Sequence, residues 1–156
     1  NLDENISIKN RNPRPAMFLD RDGVILKECN HLSNPNKLKL ENGVKKLMEF
    51  LSFEGVPIII ITNQSGIYKG DYSWQDYEKV TERMISLLGE SVKITAIYAN
   101  GEDREKSNLK WRKPSPKMLT LAKEEYNIEL KNSILIGDRL SDLRSGLNVN
   151  FDSSKF

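Results

Sequence analysis

The chain has 156 residues, of which 38% are hydrophobic and 29% are charged, and its formal net charge is +2. This length and composition are typical of one soluble domain with a hydrophobic core, and the small net charge gives no support for a nucleic-acid partner. The single cysteine, Cys29, excludes an internal disulfide and favours a cytoplasmic setting, and no apolar segment is long enough to predict a membrane span.

Strand and helix patterns begin after a polar lead-in of residues 1–15. From residue 16 onward, short apolar runs alternate with helical patterns, which predicts a parallel α/β sheet in a single domain of residues 16–156. Four consecutive isoleucines lie in the second strand candidate, as expected for a strand that is buried on both faces. The predicted strands are Ala16–Leu19, Val56–Thr62, Val92–Tyr98 and Ser133–Gly137, with a short fifth candidate at Val149–Phe151.

Hydrophobic residues at helical spacing predict four helices between and after these strands. The first carries its apolar stripe over Val44–Leu51, and the second begins with a capping box at Ser73. We expect Ser115 to cap the third helix, with Pro116 at its first position, and Ser141 to cap the last.

Polar residues stand where the predicted strands end. Ligands of an open parallel sheet bind beyond the carboxyl ends of its strands, so we expect these residues to meet at one rim. In chain order, the groups are Asp20 and Asp22, Thr62 and Asn63, Arg112 and Lys113 (before a helix), and Asp138.

The spacing of Asp20 and Asp22 favours phosphoryl chemistry with a bound metal ion. Two carboxylates this close repel each other unless a cation or a proton lies between them. Mg²⁺ prefers oxygen ligands, which the Asp20 side chain, the Asp22 carbonyl and the Asp138 side chain could supply. Each group also has a purely structural interpretation, as a turn or a helix-start residue, and only their combination favours catalysis.

The charges of these residues predict their roles. Asp20 would carry the phosphoryl group as an acyl phosphate, and Asp22 would act as general acid and then as general base. Lys113 would place a positive charge on the transferring group. The Thr62 hydroxyl and the Asn63 amide would donate hydrogen bonds to phosphoryl oxygens.

Four segments resemble, in order, the four motifs of the haloacid dehalogenase superfamily. The segments are FLDRDGVI, ITNQSGIYKG, RKPSPKML and IGDRLSDLRSGLN, and the resemblance covers about residues 16–148. Within the superfamily they resemble the small-cap branch that contains heptose 1,7-bisphosphate and histidinol-phosphate phosphatases. The resemblance implies a Rossmann-like three-layer α/β sandwich with strand order 5-4-1-2-3 and no large cap domain.

The same resemblance implies a set of site residues. Asp20 is expected as the nucleophile and Asp22 as the acid/base, with Mg²⁺ at Asp20, Asp22 and Asp138. Thr62, Asn63 and Lys113 would hold the phosphate, and Arg112 would lie nearer the rest of the substrate. Gly23 and Asp142 are expected in supporting positions, with Asp142 orienting its neighbours.

The chain departs from that branch at two places. Many members carry a zinc loop of cysteines and a histidine before the Arg-Lys-Pro motif, but Ala99–Trp111 contains neither residue type, so no structural zinc is expected. The chain also stops at Phe156, soon after the fourth motif, which suggests a shortened carboxyl-terminal edge. The stretch Leu26–Leu40 is too short for a separate cap domain.

The expected function is Mg²⁺-dependent hydrolysis of a phosphate monoester, on a sugar phosphate such as D-glycero-D-manno-heptose 1,7-bisphosphate. The expected partner is a small phosphorylated molecule, with no nucleic acid or membrane, and the protein would be a monomer or a weak oligomer. Three alternatives stay open: a histidinol-phosphate phosphatase, a polynucleotide 3′-phosphatase, and a non-catalytic binding module with the same fold.

Overall fold

A four-stranded parallel sheet forms the centre of the computed structural model, which describes residues 12–28, 35–102 and 111–149. The strand order is β3-β2-β1-β4, so the predicted order of the first four strands is confirmed. The fifth candidate, Val149–Phe151, lies largely outside the described residues. The strands are β1 (Met17–Leu19), β2 (Ile58–Asn63), β3 (Ile94–Asn100) and β4 (Ile134–Ile136).

Helices cover both faces of this sheet. Two short 3₁₀ turns, Pro35–Lys37 and Leu130–Asn132, precede the first helix and β4. The helices are α1 (Val44–Phe53), α2 (Ser65–Lys69), α3 (Trp74–Leu88), α4 (Lys117–Tyr126) and α5 (Leu140–Leu147).

Alternate residues of the central strands contribute their side chains to two separate hydrophobic cores. Side chains of successive strand residues point to opposite faces, so a strand that is apolar throughout can fill both layers. One core joins β1 and β2 to α1 and α3, and the other joins them to α4. In β2, Ile58 and Ile60 belong to the first core, whereas Ile59 and Ile61 belong to the second. This arrangement is the predicted three-layer α/β sandwich, and the predicted fold class is confirmed.

Several element boundaries differ from the sequence prediction. Strand β3 runs to Asn100 because its last residues pair with the end of β2, although the apolar pattern stops at Tyr98. Helix α2 is an additional element of five residues. Pro116 and Arg139 occupy the N-cap positions of α4 and α5. The predictions that Ser115 and Ser141 cap these helices were therefore wrong. The capping box at Ser73 is present as predicted.

The register of β1 places the first motif between two neighbouring strands. Leu19, the last residue of β1, pairs with Ile60 of β2 and with Ile136 of β4. The next residue, Asp20, donates its backbone N–H to the carbonyl of Ile136 at 2.9 Å. The polar residues that follow β1, β2 and β4 therefore leave the same edge of the sheet.

The chain after β1 folds back along itself before it enters α1. Leu26 forms an isolated antiparallel bridge with Leu40, which closes the stretch that was expected to be too short for a separate cap domain. Residues 29–34, within that stretch, lie outside the described residues. Among the described helices, none combines the length and the hydropathy that crossing a bilayer would require.

Candidate active site

A cavity of about 340 Å³ opens at the edge of the sheet where the strands end. Its volume lies at the lower end of the range for small-molecule sites. Five of the predicted site residues line it, and Thr62 and Asp142 are buried beside it. The residues that line the cavity are Asp20, Asp22, Asn63, Ser65, Arg112, Lys113, Pro114, Arg139, Leu140, Ser141 and Arg144.

Lys113 is the buried cation of this site. Its side chain is 1% exposed, and its ammonium nitrogen lies 2.9 Å from Oδ2 of Asp20 and 2.5 Å from Oδ1 of Asp142. It also donates a hydrogen bond to the carbonyl of Ile61 at 3.1 Å. The two carboxylates offset the buried charge of this ammonium group. Lys113 therefore links the residue after β1 and α5 by ion pairs, and β2 by a hydrogen bond.

The burial of Asp20 changes its protonation equilibrium. Desolvation raises the pKa of the Asp20 carboxyl above its usual value, the Lys113 ammonium opposes this shift, and the Asp142 charge adds to it. One carboxylate oxygen of Asp20 also accepts the backbone N–H of Arg21 at 2.7 Å. A nucleophilic carboxylate must be ionised, so this residue needs further positive charge when a phosphate approaches.

Asn63 fixes the backbone of Lys113. Its side-chain amide donates to the Lys113 carbonyl at 3.2 Å, and its side-chain oxygen accepts the Lys113 N–H at 3.0 Å. This reciprocal pair ties the end of β2 to the segment before α4. Thr62 is 1% exposed and accepts a hydrogen bond from Gln64, so it lies behind the cavity wall. The expected contacts of Thr62 and Asn63 with phosphate remain predictions.

Three carboxylates converge beside Lys113 in an arrangement that suits a hard cation. One oxygen each of Asp20, Asp138 and Asp142 lies within 4.8 Å of the others. Asp20 and Asp142 each contact Lys113, whereas Asp138 is more exposed, and the assignment of Mg²⁺ to Asp20 and Asp138 stays a prediction. The Asp22 side chain is outside this group, and the expected contact of its backbone carbonyl with the metal stays a prediction.

Two glycines allow the strand ends to approach each other. Gly23 has a φ of +81°, and a Cβ atom there would lie 2.4 Å from Oδ2 of Asp138. A Cβ atom at Gly137 would lie 2.3 Å from Cβ of Asp142. The turn after β1 can therefore contact Asp138 only because position 23 has no side chain.

The sequence prediction missed residues that surround Asp22. Arg21 is 1% exposed and forms an ion pair with Asp22 at 3.0 Å, and Gln64 donates a hydrogen bond to the same carboxylate at 2.7 Å. Both residues were within the quoted motifs, but they had no assigned role. The sequence carries no signal for the Arg21 contact, because the inward direction of this side chain depends on packing against Tyr77 of α3.

Three arginines give the cavity a positive rim. Arg112 was predicted near the substrate, whereas Arg139 and Arg144 were not predicted. Arg112 donates a hydrogen bond to the Glu102 carbonyl at 3.1 Å, and Arg139 pairs with Glu28 at 2.9 Å. The loop expected to replace a zinc loop falls largely on residues 103–110, outside the described residues, so the absence of zinc stays a prediction.

A sequence model of the polynucleotide kinase 3 phosphatase family matches residues 16–154 of the chain. The match includes all four polar groups described above. The chain belongs to this family of phosphatases. The predicted resemblance to haloacid dehalogenase phosphatases is thereby confirmed.

Curated relatives of this phosphatase are 30–41% identical to it over the matched segments. It is 37% identical to the D-glycero-beta-D-manno-heptose-1,7-bisphosphate 7-phosphatase of Helicobacter pylori, over 86% of this chain and 78% of that protein. It is 41% identical to the D-glycero-alpha-D-manno-heptose-1,7-bisphosphate 7-phosphatase of Photorhabdus laumondii, over 83% and 74% of the two chains.

A solved structure supports the fold of the phosphatase. The D,D-heptose 1,7-bisphosphate phosphatase of B. bronchiseptica, solved in complex with magnesium and phosphate, superposes with a TM-score of 0.82. The match covers 88% of this chain and 77% of that one, at 22% sequence identity.

We predict that Lys113→Met destabilises the phosphatase strongly. Removal of one partner from a buried ion pair leaves an uncompensated charge, and here Asp20 and Asp142 would face each other, so the expected loss is about 3–5 kcal/mol. Urea unfolding at neutral pH measures this difference. Lys46→Met, on the exposed side of α1, is the matched control and should change stability by less than about 0.5 kcal/mol. Equal stability of the two variants would contradict the assigned role of Lys113.

We also predict that Gly23→Ala and Gly55→Ala differ in activity more than in stability. Both glycines have positive φ, so each alanine should cost about 1–2 kcal/mol of backbone strain. Only the Cβ at position 23 would meet Asp138, because nothing lies within 4 Å of the Cβ position at Gly55. Phosphatase assays of the folded variants should show a large loss for Gly23→Ala alone. Full activity of Gly23→Ala would contradict the claim that catalysis requires Asp138 in its present position.

Proposed function

We propose that this phosphatase hydrolyses the 7-phosphate ester of a D-glycero-D-manno-heptose 1,7-bisphosphate, through a phosphoryl intermediate on Asp20. The observation that carries the chemistry is the contact of Asp20 with Lys113 at one cavity, with a carboxylate oxygen of Asp138 within 4.8 Å of one of Asp20. The substrate class rests on the curated relatives, which are named for both the alpha and the beta anomer of this sugar.

The charge of the cavity rim supports a substrate with two phosphates. One phosphoryl group would react beside Lys113 at the floor of the cavity. Arg112, Arg139 and Arg144 line the same cavity and offer guanidinium groups to a second anion. Guanidinium groups match the geometry of phosphate oxygens, so this rim favours a bisphosphate over a substrate with one charged group.

In the first step, a carboxylate oxygen of Asp20 attacks phosphorus. The bond between phosphorus and the ester oxygen breaks, and that oxygen takes a proton from the Asp22 carboxyl. The products are the free sugar hydroxyl and a phosphoryl group on Asp20. Lys113, 2.9 Å from Asp20, offsets negative charge as the two anions meet.

In the second step, water attacks phosphorus of the aspartyl phosphate. The Asp22 carboxylate accepts a proton from this water, and the bond between phosphorus and the Asp20 oxygen breaks. Inorganic phosphate leaves, and both aspartates return to their starting states. Mg²⁺, held by Asp20, Asp138 and the Asp22 carbonyl, would supply charge neutralisation for the phosphoryl oxygens. The donor set suits this ion, and the B. bronchiseptica fold relative was solved with magnesium and phosphate.

A polynucleotide 3′-phosphatase is the second candidate, because the matching family model carries that description. Such an enzyme would need a surface that follows a nucleic-acid backbone, usually with aromatic side chains for the bases. The described cavity has a positive rim but no aromatic residue among those that line it. The heptose bisphosphate is therefore the preferred substrate.

A substrate panel tests the proposal. We expect the highest kcat/KM with one anomer of heptose 1,7-bisphosphate, and much lower values with histidinol phosphate and a 3′-phosphorylated oligonucleotide. Chelation of Mg²⁺ by EDTA should abolish turnover, and excess Mg²⁺ should restore it. Asp20→Asn should lower kcat by about three orders of magnitude or more, because it removes the nucleophile.

Asp71→Asn, an exposed acid between α2 and α3, is the control for Asp20→Asn and should retain wild-type kcat. Preference for the oligonucleotide would contradict the proposed substrate. Activity that survives in Asp20→Asn would contradict the proposed mechanism. Release of the 1-phosphate instead of the 7-phosphate, detected by NMR of the product, would contradict the proposed regiochemistry.

A further inference from the structure

A buried hydrogen-bond network lies behind Asp22 and holds its carboxylate. The Arg21 guanidinium donates from Nε to Oδ1 of Asp22 and from Nη2 to Oδ2, both at 3.0 Å. This two-point contact fixes the plane of the carboxylate, because the planar guanidinium fork matches the two oxygens. The Arg21 side chain is 1% exposed, so its contacts are shielded from solvent competition.

Gln64 adds a second support whose orientation is determined by its neighbours. Its amide nitrogen donates to Oδ2 of Asp22 at 2.7 Å and to the Thr62 hydroxyl at 2.8 Å. Its oxygen accepts from Arg21 at 2.8 Å and from the Tyr72 hydroxyl at 2.6 Å. A flipped amide would point its oxygen at a carboxylate and its N–H groups at a guanidinium, so only one orientation is compatible with these partners.

Aromatic residues of α3 complete the support. The Tyr77 ring lies 5.0 Å from the guanidinium carbon of Arg21, within cation–π distance. The Trp74 ring packs edge-on against Tyr77 at 5.5 Å between centroids. Tyr77 of α3 thus contacts Arg21, and the α2–α3 connection supplies Tyr72.

The two carboxylate oxygens of Asp22 are not equivalent in this network. Oδ2 accepts two hydrogen bonds, from Arg21 and Gln64, whereas Oδ1 accepts one, from Arg21. A carboxylate oxygen has two lone pairs, so Oδ1 retains one for a proton while Oδ2 has none. Asp22 also lines the cavity, where the ester oxygen and water would lie.

We propose that Arg21, Gln64 and Tyr72 are positioning residues that hold Asp22 so that Oδ1 is the oxygen that gives and takes the proton. This proposal rests on the proposed function, in which Asp22 is the acid/base. In the first step the proton leaves Oδ1 for the ester oxygen as its bond to phosphorus breaks. In the second step the attacking water returns a proton to Oδ1. A small displacement of the carboxylate would slow both transfers, because proton transfer requires close contact.

A double-mutant cycle between Gln64→Ala and Asp22→Asn tests the proposal, with p-nitrophenyl phosphate and Mg²⁺. This ester has a good leaving group, so its first step needs little help from an acid, whereas the second step still needs a base. Gln64→Ala should therefore release the first equivalent of p-nitrophenol within about twofold of the wild-type rate. Its steady-state kcat should fall about tenfold or more, and kcat/KM should stay within about twofold of the wild-type value, because only the second step slows.

In the Asp22→Asn background, Gln64→Ala should change kcat by less than about twofold, because residues that act through one group are not additive. Tyr72→Phe removes a single oxygen atom and keeps the ring, so it applies the same test if Gln64→Ala unfolds. Its expected loss of kcat is about two- to tenfold. Gln75→Ala and Tyr98→Phe, both away from the cavity, are the matched controls and should retain wild-type kinetics.

Equal losses from Gln64→Ala in both backgrounds would overturn the positioning role and leave the network a purely structural one. A first-step rate that falls as much as kcat would do the same. Absence of wild-type turnover with p-nitrophenyl phosphate and with every ester of the substrate panel would refute the proposed function and this proposal together. Turnover by the wild type with equal losses would refute the positioning role alone.

Discussion

The contact of the Lys113 ammonium with Asp20 and Asp142 is the interaction on which the site depends. Two carboxylates in a dry strand-end position repel each other, and burial alone raises the pKa of Asp20. The ammonium group between them lets both lie against the sheet. Asn63, the last residue of β2, holds the Lys113 backbone in place. The end of β2 therefore positions the ammonium group beside Asp20.

The two acids of the first motif have opposite surroundings although they are separated by one residue. Asp20 lies at the end of β1, deep beside Lys113 and near Asp138. Asp22 lies in the turn, where Arg21 and Gln64 bind its carboxylate. One carboxylate is therefore placed for attack on phosphorus and the other for proton transfer. Asp20 directly follows the strand, whereas Asp22 lies in the turn beside Gly23, so the two side chains meet different neighbours and can serve different roles.

Much of the fold was predictable because its strands are short, apolar and separated by helical patterns. The isoleucines of β2 identified the central strand, since only a strand covered on both faces tolerates such a run. The end of β3 was not predictable, because Asn100 belongs to the strand through pairing with Asn63 and not through hydrophobicity. Helix α2 is short and contains a glycine, so it has no periodic signal.

The sequence was sufficient to predict which residues lie together at the edge of the sheet. It was less informative about which side chains contact each other there. Parallel strands bring their carboxyl ends together, which accounts for Asp20, Asn63 and Lys113 at one cavity. Sequence spacing cannot show that the Arg21 side chain turns inward beneath the motif that contains it. That direction depends on α3, whose Tyr77 ring lies beside the guanidinium.

The identity of the phosphorylated residue tests the central claim most directly. The Asp22→Asn enzyme should accumulate the intermediate when it is mixed with an aryl phosphate and quenched in acid, because its second step lacks a base. Peptide mapping by mass spectrometry should then find one phosphoryl group, on the peptide that contains Asp20 and on that side chain. A phosphoryl group on any other residue, or turnover without a phosphorylated enzyme, would contradict the account.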